Sequence, residues 1–135
     1  MTHPALQALY DALASGAHGE ALRPLLCADV EFVEHPNAIS PTGSRRDLDA
    51  IMTSSTSGAS LLSSQRYDVL ESLEDGARVA VRVRWTGEVS TDAGPFRAGE
   101  VLVAHLAQFV RVRDGRIAYL ETFDCYAPRT PSEGH

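Results

Sequence analysis

From Gln65 onward the chain changes its hydrophobic period, and that change limits the fold more than any other feature. Four runs, at 65–73, 78–89, 101–113 and 116–126, are rich in Val, Leu and aromatic residues and alternate apolar with polar positions. A period of two belongs to strands, because successive side chains leave opposite faces of a sheet. Asp75-Gly76 and Asp114-Gly115 stand between these runs as hairpin turns, since glycine takes the positive φ that tight primed turns demand. Two hairpins are therefore expected, joined by a loop at 90–99 that contains Gly94-Pro95.

The same alternation predicts which face is buried. In the second run Val79, Val81, Val83 and Trp85 share one side, with Arg82 and Arg84 opposite. In the third, Leu102, Ala104, Leu106, Gln108, Val110 and Val112 line up against His105, Arg111 and Arg113, which makes Gln108 a polar residue on an apolar face. In the fourth, Ala118, Leu120, Thr122, Asp124 and Tyr126 share one side, and Tyr119, Glu121, Phe123 and Cys125 the other. Neither side is purely apolar, so both are expected to be covered, one by helices and the other by a partner subunit.

Upstream the period is helical. Thr2 is a candidate cap, Pro4 suits a first turn, and Leu6, Leu9, Tyr10 and Leu13 follow at helical spacing up to Ser15-Gly16. Residues 20–26 are expected to form a short second helix, with Pro24 tolerable only in its first turns. A strand at 30–34 follows, stopped by His35-Pro36-Asn37. Ser44 with Asp47 has the spacing of a capping box ahead of a third helix whose apolar face is Leu48, Ile51 and Met52. The serines of 54–64 are expected at that helix's end and in a loop. Three helices packed on a curved antiparallel sheet make an α+β fold, one domain over 1–127, with 128–135 expected as a disordered tail.

Composition narrows the chemistry. The 135 residues are enough for one core, and 18 acidic residues face 12 basic ones, every one of them Arg, for a formal charge of −6. Without lysine there is no Schiff base, pyridoxal anchor or P-loop lysine. The acidic balance disfavours nucleic acid as a partner. Cys27 and Cys125 form no C-x-x-C pair and are expected as buried, reduced thiols. No run of 18 apolar residues exists and the first 13 residues lack the pattern of a signal peptide, so a soluble, cytoplasmic protein without a membrane partner is expected. His18-Gly19-Glu20 has the spacing of half a facial metal triad but no third ligand, G-x-S-x-G is absent, and neither metal nor other cofactor is expected.

The order of these elements and several local motifs resemble the NTF2-like superfamily, in its SnoaL-like and ketosteroid-isomerase-like branch. The resemblance covers about residues 4 to 126. Its carriers are the first helix ending Ala14-Ser15-Gly16, the stretch from Leu25 to Phe32, the run Val33-Glu34-His35-Pro36-Asn37, the helix after Ser44, and Arg113-Asp114-Gly115-Arg116-Ile117. It implies a cone in which the sheet curls around the helices and leaves a pocket at one end, and it implies a homodimer, expected here through the outer sheet face. It also implies a catalytic carboxylate at the end of the first strand before a proline. In this chain His35 holds that place, or Glu34 one residue earlier. By the same resemblance Gln108 falls at the family's second acid, Tyr10 at its tyrosine partner, and Asp124 at the acid that serves SnoaL-like cyclases as base.

The catalytic candidates are thus His35, Asp124 and Glu34, with Tyr10, Asn37, Trp85, Leu106, Gln108 and Thr122 expected to line the ligand pocket. Imidazole has the intrinsic pKa for a base near neutrality, and a buried carboxylate is either paired or raised in pKa. The expected function is binding of a small apolar carbonyl compound, with acid/base isomerase or cyclase chemistry. The alternatives are a noncatalytic small-molecule-binding dimer and a scaffold, and the inward polar residues weigh against the scaffold.

Overall fold

The computed structural model describes residues 1–129. Helix α1, Pro4–Ala14, buries the stripe Ala5, Leu6, Leu9 and Tyr10. Its cap is His3, whose Nδ1 accepts from the Ala5 amide at 3.1 Å; the Thr2 hydroxyl instead meets Ser72 at 2.7 Å. The second helix, Gly19–Leu25, is a 3-10 helix. Pro24 lies inside it, lacks an N–H and crowds the preceding turn, so a regular α-helical ladder cannot run through it. Strand β1, Leu26–Glu34, begins four residues earlier than expected.

Two expectations for the next stretch are corrected. Ser44 caps no helix: β2, Ser44–Arg46, pairs antiparallel with the Phe32 to Glu34 end of β1, and Asp47 is the cap of α2, accepting from the Ala50 amide at 2.9 Å. Helix α2, Leu48–Leu61, then runs through the serine tract and passes directly into β3, Leu62–Asp75, with no loop. Ser54, Ser55, Thr56 and Ser60 turn their hydroxyls back onto carbonyls three or four residues earlier, which satisfies them within the helix.

The remaining strands are β4, Arg78–Val89; β5, Val101–Arg113; and β6, Arg116–Tyr126. In the first hairpin Asp75 pairs with Arg78, so the turn is Gly76-Ala77, one residue later than expected, with φ +61° at Gly76. In the second, Asp114 and Gly115 are both left-handed, at 54° and 73°, as a type I′ turn requires. The six strands form one open sheet in the order β2-β1-β6-β5-β4-β3. It is mixed rather than purely antiparallel, because β1 lies parallel to β6.

The helices cover one face of the sheet and share its core. Leu6, Tyr10, Leu22 and Met52 pack with Val79, Val81, Val83, Leu106 and Leu120. Truncating fully buried Leu6 to Ala is expected to cost about 2–5 kcal/mol. The inner-face alternation of β4, β5 and β6 holds with one exception. A register shift between Arg111 and Val112 puts Ile117, not Ala118, against the core. Cys27 is buried but Cys125 is exposed on the outer face; both are free thiols. Of the tail expected to be disordered, 130–135 lies outside the described residues, and Arg129 is pinned by Glu100 at 2.5 and 2.8 Å. No helix among the described residues is long and apolar enough to cross a membrane.

Candidate functional site

Rows of residues in register across the sheet build the site. Glu34, Thr122, Gln108 and Val81 form one row on the inner face. Asp124, Leu106 and Val83 form the next, and Tyr126, Ala104, Trp85 and Tyr67 the third. A polar corner on β1 and β6 therefore opens onto an apolar and aromatic wall. Ala104, completely buried, leaves room for the rings on either side of it, and Trp85 meets Tyr126 edge to face at 6.3 Å. The Trp85 ring lies over Gly87, where a Cβ would come within 2.6 Å of it.

The polar corner is ordered by one chain of hydrogen bonds. The Tyr10 hydroxyl donates to Gln108 Oε1 at 2.5 Å, Gln108 Nε2 donates to Thr122 Oγ1 at 3.1 Å, and the Thr122 hydroxyl donates to Asp124 Oδ1 at 2.5 Å. Gln108 and Thr122 are buried, at 5% and 2% exposure, so each needs these partners. Gln108, placed by the resemblance at an oxyanion-stabilising position, has its amide nitrogen committed to Thr122 and its carbonyl to Tyr10. Tyr10 also stacks on Tyr67 at 4.7 Å. A second set of contacts fixes the aromatic wall: Trp85 Nε1 donates to Gln65 Oε1 at 2.9 Å, the Tyr67 hydroxyl reaches the same oxygen at 3.3 Å, and the Gln65 amide holds the Leu13 carbonyl at 3.2 Å.

The two inward carboxylates differ in their partners. Glu34 accepts from Asn37 Nδ2 at 2.9 Å and from the Ser44 hydroxyl at 3.3 Å, with Arg46 at 3.6 Å. Among the described residues, only Thr122 donates to Asp124. Burial pushes the Asp124 carboxyl above the usual aspartate range; the Thr122 hydrogen bond opposes that shift, and the charge of Glu34 adds to it. Burial likewise raises the phenols of Tyr10, Tyr67 and Tyr126, the last two further through the Asp124 charge, so all three stay protonated donors near neutral pH.

Strand parity corrects one assignment, and a loop corrects another. Glu34 faces inward, so His35 faces outward: its Nε2 meets Glu121 at 2.6 Å and its ring stacks on Phe123 at 4.2 Å. His35 and Asp124 do not share a cavity. Asn37, expected in the pocket lining, is consumed by its own loop, where it accepts from the amides of Ile39 and Ser40 and donates to Glu34 and the His35 carbonyl. Tyr10, Trp85, Leu106, Gln108, Thr122 and Asp124 are brought together on the inner face. Tyr67, Gln65 and Tyr126 join them without having been singled out. The parity of Tyr126 with Asp124 could have found it, but Tyr67 and Gln65 needed the pairing of β3 with Trp85. Among the described residues no three His, Cys, Asp or Glu side chains gather as a metal site, and His18 is engaged by Thr56 at 3.2 Å.

The family profile described as a SnoaL-like domain matches residues 6–120. The chain belongs to the SnoaL-like family, within the NTF2-like superfamily. Solved SnoaL-like and ketosteroid-isomerase-like proteins share its fold. One is IdmH, a candidate polyketide cyclase from Streptomyces antibioticus, with 25% identity over 89% of this chain and 88% of that one and a TM-score of 0.71. A protein with a ketosteroid-isomerase-like fold from Catenulispora acidiphila, solved with trimethylamine, is 18% identical over 91% of this chain and 86% of its own, TM-score 0.70. A candidate polyketide cyclase from Acidithiobacillus ferrooxidans is 16% identical over 89% and 84%, TM-score 0.70. The last two likenesses are ones of fold alone. No curated protein matches the sequence.

Proposed function

We propose that this SnoaL-like domain is an acid/base catalyst for a compact, largely apolar carbonyl compound. Asp124 takes a proton from the carbon beside the carbonyl, and the neutral phenol of Tyr126, two residues along the same strand face, donates to the oxygen on which charge develops. The enolate carbon then closes on a second carbonyl, as in a cyclase, or is reprotonated elsewhere, as in an isomerase. The observation that carries this reading is the contrast between the inward acids. Glu34 is committed to Asn37, Ser44 and Arg46, whereas Asp124 has one donor among the described residues and a pKa raised by burial. A base whose pKa is moved toward neutrality is a stronger proton acceptor that is still ionised when needed. The candidate polyketide cyclases of the same fold support the reading, since ring closure of a polyketide begins with the same proton abstraction.

The test needs no knowledge of the natural substrate. Compact ketones and 1,3-dicarbonyl compounds in D2O are followed by proton NMR for loss of the hydrogens beside the carbonyl. The protein is expected to accelerate exchange over buffer, and Asp124→Asn to lower that acceleration by about 10² or more. Exchange no faster than buffer, or unchanged in Asp124→Asn, rejects the base; a thermal shift by the same compounds without exchange would mark a noncatalytic binding domain instead.

We also propose a homodimer through the outer face of the sheet. Phe109 and Phe123 meet edge to face at 6.0 Å there, and each is 40% or more exposed. Arg111 lies over the Tyr119 ring beside them. Exposed aromatic rings rimmed by arginine are the composition of an interface core.

A further inference from the structure

The three hydrogen bonds from Tyr10 to Asp124 all point the same way. Read from the helix, each group donates to the next: phenol to amide oxygen, amide nitrogen to hydroxyl oxygen, hydroxyl to carboxylate. The same atoms admit one other arrangement. With the Gln108 amide turned over, a protonated Asp124 donates to Thr122, Thr122 to the amide oxygen, and the amide nitrogen to the Tyr10 oxygen. That reversed chain leaves the Tyr10 proton with nowhere to go. Gln108 is the only hydrogen-bond partner of the Tyr10 hydroxyl among the described residues, and Tyr10 is 2% exposed. Stranding a buried donor is costly, so the reversed arrangement is the poorer one.

We infer that Tyr10 is a positioning residue for the base: its buried proton needs an acceptor, so it fixes the orientation of the Gln108 amide and through it aims the Thr122 hydroxyl at Asp124. The inference rests on the reading of Asp124 as the base and deepens it. The hydroxyl so aimed stabilises the carboxylate against its surroundings. Of the titratable groups around Asp124, Glu34 on β1 opposes ionisation by its charge, Tyr67 on β3 and Tyr126 on β6 are neutral, and the row neighbours Leu106 and Val83 on β5 and β4 carry no charge. Arg46 on β2 reaches Glu34. The chain from α1 is thus the support for the charged form, and it starts from a helix that, among the described residues, makes no hydrogen bond of its own to the carboxylate. Gln108, the polar residue on the otherwise apolar inner face of β5, is the link that joins Tyr10 to Thr122.

The experiment is a direct titration of the Asp124 carboxyl carbon by NMR in protein labelled at aspartate, without any substrate. Tyr10→Phe keeps the ring stacked on Tyr67 but removes the donor; the Asp124 midpoint is expected to rise above that of the parent. Thr122→Val should raise it further, and Thr122→Ser, which keeps the hydroxyl, should restore it. An unmoved midpoint in Tyr10→Phe, in protein whose amide spectrum shows the parent fold, overturns the inference and leaves Asp124 free to be the base on other grounds. The exchange assay in D2O separates the two readings. Its half-maximal pH should move upward together with the midpoint. A midpoint that moves while Asp124→Asn has no effect on exchange would keep the positioning role and reject the base.

Discussion

Strand β6 carries two acids three residues apart, and the sheet sends them to opposite faces. Glu121 on the outer face meets His35 at 2.6 Å beside Phe123, a residue 40% exposed. Asp124 on the inner face has, among the described residues, one hydroxyl donor, and burial holds it protonated to a higher pH. The outer cluster holds the residue types of a catalytic dyad, an imidazole on a carboxylate, yet its ring stacks on Phe123 in the aromatic surface proposed as the dimer interface. Among the described residues the inner cluster has no imidazole, and the chemistry proposed for it comes from what surrounds one carboxyl group. Residue type marks a candidate; the face decides its environment, and the environment sets what a carboxylate can do.

The sharpest way to break this comparison is to neutralise each acid in turn. Asp124→Asn is expected to lower catalysed exchange about 10²-fold or more, while Glu121→Gln leaves the rate per site within about twofold. Comparable losses from both would mean that the two faces do not divide the work. The outer face is then tested by charge. Phe123→Glu should place a carboxylate beside Glu121 in the proposed interface, and light scattering at micromolar concentration should report a monomer in place of the parent dimer. A parent protein that is already monomeric removes the interface.

A smaller effect probes the corner that sends Glu34 inward and His35 outward. Gly43 has φ +66°, and a Cβ there would collide with the Glu34 carbonyl oxygen and press on Pro36 N at 3.0 Å. Gly43→Ala is expected to cost about 1–2 kcal/mol for the left-handed backbone alone, and more for the collision. Gly76, with φ +61° and no atom within 4 Å of its built Cβ, is the control. Gly76→Ala should cost about 1–2 kcal/mol, the backbone penalty without the clash. Equal melting temperatures for the two variants would show that the corner adapts.

Most of the sheet was legible because its signal is a repeated one. Alternation along β4 and β5, with the same parity carried into β6, marked the inner faces and put Asp124, Thr122, Gln108, Trp85 and Leu106 together. The bulge after Arg111 escaped because a single extra residue leaves no mark on composition. Strand β2 escaped for a different reason: three residues, Ser44–Arg46, have no period of their own, and only the end of β1 makes them a strand. The His35 assignment shows the limit most directly. Position within a family motif was uncertain by one residue, and in a strand one residue is a change of face. The donor to Asp124, Thr122, lies two residues away on the same strand face, but the bond that links it back to the helix joins Tyr10 to Gln108 across 98 residues of sequence, and no spacing could show it.

The smallest expected effect distinguishes the inner acid by its contribution to stability. A carboxyl whose folded pKa lies above its unfolded value binds more protons in the native state between the two values, so stability there falls as pH rises. For Asp124, burial raises the folded value, and the window opens at the ordinary aspartate range and closes above its folded pKa. Above that window the parent keeps a charged group in a poorly solvated place. Asp124→Asn removes the charge and still offers an oxygen to the Thr122 hydroxyl. Its melting temperature should therefore exceed that of the parent at neutral pH, with the gap shrinking steadily as pH falls through the window. Calorimetry across the acidic range measures this. A gap independent of pH would mean that Asp124 titrates alike in both states, and the contrast between the faces would then rest on geometry without electrostatics. A gap that shrinks as described would mark the inner acid as a group that lowers stability at the pH where it acts, as expected of a residue kept for chemistry.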